Sequence, residues 1–186
     1  MVYFYKSVLN SIYQLQNYNL FMIFETERLR IRKLLLTDLN SFFKLESNPE
    51  VLQYATGEIK TIVECEVELK DLMDKYDKVK NDFWIYAITR KLDNKFIGTL
   101  ALVKDNIDDE IGYRFIQEYW GKGYATEICE GLISYCRFLG MKKIVGYVVD
   151  ENIASAKILK RFNFTEVKRF ISEDIGLPET KYELIL

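Results

Sequence analysis

The chain has 186 residues, of which 49% are hydrophobic and 15% aromatic, and it carries a formal net charge of −2. This size and composition favour one folded domain over a disordered chain, and the charge argues against nucleic acid or an anionic membrane as partner. Histidine is absent, which excludes Ser-His-Asp and Cys-His nucleophiles and most zinc sites.

The three cysteines, Cys65, Cys129 and Cys136, form no CxxC pair. Such spacing is typical of buried thiols in a reducing compartment and not of a disulfide framework or a metal site. We therefore expect a cytoplasmic protein without a bound metal.

The N-terminal segment shows no clear pattern of a folded element. Polar residues interrupt its aromatic residues throughout, so it resembles neither a signal peptide nor a membrane span. We interpret residues 1–23 as an extension that is dispensable, with a short docked helix as the alternative and Met22 as a candidate start. Residues 24–186 form the predicted domain.

The predicted elements follow in the order β-αα-βββ-α-β-α-ββ. A loosely alternating strand covers 24–34, Thr37 and Asp38 cap a first helix, and a Thr61–Glu64 capping box opens a helix that reaches about Val79. Pro49 ends the first helix and can start a short helical turn. The remaining strands are predicted at 83–90, 96–103, 110–115, 143–149, 164–170 and 182–186, with a hairpin turn at 91–95 and a last helix at 152–161.

A glycine turn joins the strand at 111–115 to the central helix. The helix is indicated by apolar residues at helical spacing: Ala125, Ile128, Cys129, Leu132, Ile133, Cys136 and Leu139. A turn into a helix N-terminus points free backbone N–H groups and the positive end of the helix dipole at one spot. Gly121 and Gly123 let the backbone approach a phosphate, and Lys122 adds positive charge. A plain turn is the alternative.

The run Trp120-Gly121-Lys122-Gly123-Tyr124-Ala125-Thr126-Glu127 resembles the acetyl-CoA signature of the GNAT N-acetyltransferases. The similarity is to the branch of RimJ/RimL-type ribosomal-protein N-terminal acetyltransferases. Segments 25–32, 93–102 and 152–164 resemble that branch in the same order, so the resemblance covers residues 24–186. It implies the GNAT fold, an α+β domain with a mostly antiparallel sheet of about six or seven strands and about four helices.

The resemblance implies acetyl-CoA as co-substrate. The strand before the glycine turn is implied to bind the pantetheine, and the turn itself is implied to bind the pyrophosphate. A further contact is implied at the start of the last helix. The implied contact residues are Tyr113, Arg114, Phe115, Gly121, Lys122, Gly123, Tyr124, Ala125 and Asn152. Asn152 is also a candidate helix N-cap, and both roles can hold together.

The implied reaction transfers acetyl to a primary amine by direct attack in a ternary complex. An amine with a pKa of about 10 must lose a proton in the site, and we expect Glu110 to accept it, an exposed strand-end carboxylate being the alternative. Ser155 is expected to hydrogen-bond the thiolate leaving group, with a helix-surface hydroxyl as the alternative. Many relatives use a tyrosine as acid at the position of Leu159, so that acid is absent here.

Two positions depart from the usual GNAT pattern. Trp120 stands where many members have Gln or Arg, and this substitution resembles the usual pattern of the RimJ/RimL-type branch. Asn163 replaces a common glycine after the last helix, and we expect it to adopt left-handed backbone angles.

The acceptor is left open among a peptide N-terminus, a polyamine and an aminoglycoside-like amine. Carboxylates in 46–58 and 64–77 suit a cationic amine if they face the cleft, but a solvated helix face is the alternative. A catalytically silent acyl-CoA-binding or interaction module on the same fold is the alternative function, and an unrelated phosphate-binding domain a third. An exposed C-terminal strand suggests a homodimer.

Overall fold

The computed structural model describes residues 22–55, 58–105 and 107–186. The strands are β1 (Met22–Glu25), β2 (Leu29–Lys33), β3 (Phe83–Arg90), β4 (Phe96–Asp105), β5 (Asp108–Phe115), β6 (Lys143–Val149), β7 (Thr165–Ile171) and β8 (Pro178–Ile185). The α-helices are α1 (Leu39–Glu46), α2 (Pro49–Leu52), α3 (Ile62–Lys75), α4 (Tyr124–Phe138) and α5 (Ile153–Arg161). Short 3-10 turns cover Leu36–Asp38 and Gln117–Tyr119.

The eight strands form one mixed sheet in the order β1-β2-β3-β4-β5-β6-β8-β7. Neighbouring strands are antiparallel except β5 and β6, which run parallel and share one Cα pairing, Glu110 with Val145. Because β8 lies between β6 and β7, the expectation of an exposed C-terminal strand is wrong. The strand at that edge is β7, which is mostly exposed.

Helices cover both faces of the sheet. On β5, Arg114 reaches Glu46 at the end of α1, whereas the ring of the next residue, Phe115, stacks 6.3 Å from that of Tyr124 on α4. Successive side chains of a strand point to opposite faces, so α1 and α4 pack on opposite sides of the sheet. The glycine turn that starts α4 is thereby fixed at the end of β5.

The sheet has one strand more than the upper expected number because the strand predicted at 24–34 is a hairpin. The hydroxyl of Thr26 accepts a hydrogen bond from the Leu29 N–H, and the Thr26 N–H donates to the Leu29 carbonyl. These bonds reverse the chain between β1 and β2. The extra helix is α2, whose first turn is capped by the Asn48 side chain accepting from the Glu50 N–H.

The predicted caps of α3 and α1 have different outcomes. The Thr61–Glu64 capping box opens α3, but the helix ends at Lys75 and not near Val79. The C-cap residue Tyr76 is held by its hydroxyl, which accepts from the Leu34 N–H and donates to the Ile85 carbonyl. Asp38 makes no cap hydrogen bond to α1, since its carboxylate instead binds Arg32 at 2.7 Å through both oxygens.

None of the described helices is long and apolar enough to cross a membrane. The predictions for residues 1–21 lie outside the described residues. Met22 and Ile23, which the sequence assigned to the extension, are the first two residues of β1.

Candidate active site

A cavity of about 600 Å³ lies where β5 and β6 diverge beyond the Glu110–Val145 pair. Its walls come from β5, the glycine turn with the start of α4, β6, α5 with its N-cap residue, and α2 with the residues after it. The lining residues are 50–51, 53–55, 111–115, 119–121, 123–126, 146–149, 152, 154–155 and 158–159. Nine of the eleven site residues expected from the sequence are among them; Lys122 and Glu110 are not.

The glycine turn presents the N-terminus of α4 to the cavity. Gly121 and Gly123 have φ of 71° and 79°, left-handed angles that favour glycine. Gly123 is the N-cap residue and supplies no side-chain cap, so the first N–H groups of the 15-residue helix remain available. The turn therefore combines free donors, the positive helix end and space for an anion.

Lys122 does not add its ammonium group to the cavity wall. Its Nζ donates to the Glu118 carbonyl at 2.7 Å and lies over the Tyr119 ring. The side chain thus folds back on the preceding turn. Only the backbone of Lys122 is left to make its expected contribution to anion binding.

Trp120 ties the glycine turn to β5. Its indole Nε1 donates to the Phe115 carbonyl at 2.7 Å. An indole can only donate, and β5 beside the cavity supplies an acceptor. The tryptophan therefore links the glycine turn to the end of the strand, a contact that the sequence did not reveal.

Arg114 and Tyr113 of β5 have contrasting surroundings. The Arg114 guanidinium binds the carboxylate of Glu46, which is fully buried, at 2.7 Å, and Lys60 lies 3.5 Å from the same carboxylate. The Tyr113 hydroxyl is buried, and no group of the described residues hydrogen-bonds to it. Burial raises the pKa of Tyr113 above its ordinary value, so the phenol stays protonated and can donate at neutral pH.

The start of α5 brings Asn152 and Ser155 to the cavity together. The Asn152 side chain accepts from the Ser155 N–H at 3.1 Å, which confirms the predicted N-cap. Leu159, at the position of the absent tyrosine, is buried on the cavity wall. Asn163 has a φ of 64°, the left-handed angle expected of it.

The two alternatives left open for the carboxylates divide between the helices, since α2 places one on the cavity wall and α3 keeps its carboxylates outside the lining. Glu50 of α2 lines the cavity, whereas Glu110 lies at its closed end, half-buried and outside the lining. The acidic residues of α3 are likewise absent from the lining among the described residues, and Glu66 pairs with Lys70 along the helix surface.

Neither a reactive thiolate nor a cluster of metal-ligating side chains is present among the described residues. Burial raises the pKa of Cys65 to about 11 and the pKa values of Cys129 and Cys136 to about 12, so the thiols are protonated. Within residues 22–55, 58–105 and 107–186, no three Cys, Asp or Glu side chains are grouped to hold a metal ion.

Comparison with known proteins agrees with this geometry. Residues 28–165 match the family model described as an acetyltransferase (GNAT) domain. The uncharacterized N-acetyltransferase YoaA of Bacillus subtilis (strain 168) is 31% identical over 150 residues, which cover 78% of this chain and 84% of YoaA.

Solved structures share the fold at lower identity. A GNAT-family acetyltransferase from Bacillus anthracis superposes with a TM-score of 0.76 at 20% identity, covering 89% of this chain and 98% of that one. RimL, a ribosomal L7/L12 α-N-protein acetyltransferase solved in complex with coenzyme A, gives a TM-score of 0.75 at 18% identity, covering 89% and 98%.

The chain belongs to the GNAT acetyltransferase family, and its fold is similar to that of RimL. The predicted fold class is thereby confirmed, with eight strands and five helices among the described residues.

Proposed function

We propose that this protein is an acetyl-CoA-dependent N-acetyltransferase that acts on a primary amine by direct attack in a ternary complex. The observation that carries the proposal is the cavity between the diverging β5 and β6, with the N-terminus of α4 at its wall. Acetyl-CoA needs both features, because its extended pantetheine chain requires a narrow cavity and its diphosphate requires an anion-binding site.

Acetyl-CoA fits the residues of this cavity. The backbone N–H groups from Gly121 to Ala125 would bind the diphosphate, and a Cβ built at Gly121 meets no atom within 4 Å, which indicates room for it. The backbone of Tyr113, Arg114 and Phe115 would bind the pantetheine, with Asn152 at its amide region. Bound acetyl-CoA supplies the activated acetyl group.

The chemistry follows from the groups on the walls. The amine nitrogen attacks the thioester carbonyl, N–H donors of β5 stabilise the oxyanion, and the C–S bond breaks to release the CoA thiolate. Ser155 would donate a hydrogen bond to that thiolate. Glu110, which lies outside the lining, would accept the amine proton through water.

The acceptor we propose is a peptide N-terminus or a small cationic amine such as a polyamine or an aminoglycoside. RimL is by its name an α-N-protein acetyltransferase, and Glu50 places a carboxylate on the cavity wall, which suits a cationic amine. We further propose a cytoplasmic location, consistent with three free, buried thiols.

The proposal is tested by release of the CoA thiol from acetyl-CoA in the presence of a panel of N-terminal peptides, polyamines and aminoglycosides. Amine-dependent release with formation of the acetylated amine is expected. Saturable acetyl-CoA binding without release by any amine would favour the silent acyl-CoA-binding module instead.

Substitution of Gly123 by valine is expected to weaken acetyl-CoA binding about tenfold or more, because the left-handed turn would be strained and its N–H groups turned away. Gly140→Val is the matched control, since Gly140 also has a positive φ, 75°, but lies after the far end of α4. Isothermal titration should show weakened binding for Gly123→Val alone. Equal affinities in the two variants would contradict a role for the turn in binding.

A further inference from the structure

The hairpin turn between β1 and β2 is bound to the first turn of α4. The Glu127 carboxylate accepts hydrogen bonds from the Thr26 hydroxyl at 2.5 Å and from the Arg28 N–H at 2.7 Å through one oxygen. Its other oxygen accepts from Arg28 Nε at 2.6 Å. The Glu127 side chain is only 14% exposed, so these charge-assisted bonds are partly shielded from water.

The Arg28 guanidinium also contacts the glycine turn. Its Nη1 donates to the Lys122 carbonyl at 3.0 Å, and its central carbon lies 4.6 Å from the centre of the Tyr124 ring. A Cβ built at Gly123 would lie 3.4 Å from Arg28 Nη2. One side chain, 45% exposed, thus touches or borders all three residues from Lys122 to Tyr124.

The negative charge of Glu127 is unfavourable for anion binding nearby, and Arg28 neutralises that charge. Partial burial acts to raise the pKa of Glu127, but the hydrogen bonds from Thr26 and Arg28 outweigh it and keep the pKa below its usual value. The carboxylate is therefore ionised at neutral pH, within the helix turn whose N–H groups would bind a diphosphate. Without a paired cation, it would repel that anion.

We propose that Arg28, held by Glu127, is a positioning residue for the diphosphate site. It fixes the glycine turn through the Lys122 carbonyl and neutralises Glu127, a carboxylate of the same helix turn that lies outside the cavity lining. The inference rests on the proposed function, since it assigns Arg28 to the binding of the diphosphate of acetyl-CoA.

The test compares two acetyl donors, acetyl-CoA and S-acetylpantetheine, which carries the same thioester but no diphosphate. Arg28→Ala is expected to raise KM for acetyl-CoA about tenfold with kcat nearly unchanged, while kcat/KM for S-acetylpantetheine stays within about twofold. Arg28→Lys should recover part of the loss, because it restores the charge but not the planar fork. Arg28→Ala/Glu127→Gln should bind acetyl-CoA better than Arg28→Ala, because no unpaired carboxylate remains.

Arg30→Ala is the matched control, since Arg30 lies on β2 and pairs with Glu25 and Asn94 away from the glycine turn. It should leave both donors unaffected. An equal loss with both donors in Arg28→Ala, or a double variant weaker than Arg28→Ala, would overturn the positioning role and leave a purely structural one. Failure of the wild-type protein to bind acetyl-CoA would instead remove the proposed function itself.

Discussion

Replacing Gly98 by alanine is expected to lower the free energy of unfolding by about 3 kcal/mol or to prevent folding. Gly98 lies on β4 opposite Phe115 of β5, and an added Cβ would overlap the Arg114 carbonyl oxygen and lie 3.0 Å from the Phe115 Cα. Both obstacles are backbone atoms, which cannot rotate away as a side chain can. The strand that lines the cavity would have to shift.

Gly112→Ala is the matched control for this prediction. Gly112 lies on β5, and its added Cβ would meet the Ala101 Cβ at 3.6 Å, an ordinary contact. Urea denaturation should show a change within about 1 kcal/mol for Gly112→Ala and a large loss for Gly98→Ala. Similar stabilities for both variants would contradict the close approach of β4 and β5.

Replacing Glu110 by glutamine is expected to lower kcat/KM about 100-fold, the usual range for loss of a general base. Glutamine keeps the size of the side chain and one acceptor oxygen, but it cannot accept the amine proton. The dependence of the rate on pH should also lose its acidic limb, because that limb reports protonation of the base. Acetyl-CoA affinity should be unchanged, since the residue lies outside the cavity lining.

The Glu50→Gln variant distinguishes which of the two carboxylates, Glu50 or Glu110, acts as the base. Because Glu50 lies on the cavity wall in α2, its loss should raise KM for the amine less than about tenfold and keep the pH profile. If Glu50→Gln gives the greater loss and abolishes the acidic limb, the base is Glu50 and the assignment to Glu110 is wrong.

The features that the sequence predicted well are those with local causes. The glycine turn, the start of α4, the Asn152 cap and the left-handed Asn163 each depend on a few neighbouring residues. These features can be predicted from the residue types because only a few residue types fit a helix cap or a positive φ. The order of strands and helices followed from periodicity and from the resemblance to the GNAT family.

The features that the sequence missed depend on partners far along the chain. The bond of Trp120 to the Phe115 carbonyl, the ion pair of Arg28 with Glu127, and the pair of Arg114 with Glu46 appear only when the sheet is assembled. Trp120 was noted only as a departure from a motif. The position of Glu110 outside the lining likewise reflects where β5 and β6 separate, which no local pattern specifies.

Thermal unfolding with and without millimolar acetyl-CoA, with ATP as the control, tests the central claim most directly. A ligand at about 100 times its dissociation constant adds roughly 2.7 kcal/mol to the folded state, a shift of several degrees for a chain of this size. We predict that shift with acetyl-CoA and none with ATP. No shift with acetyl-CoA, or a larger one with ATP, would contradict the assignment of this cavity to acetyl-CoA.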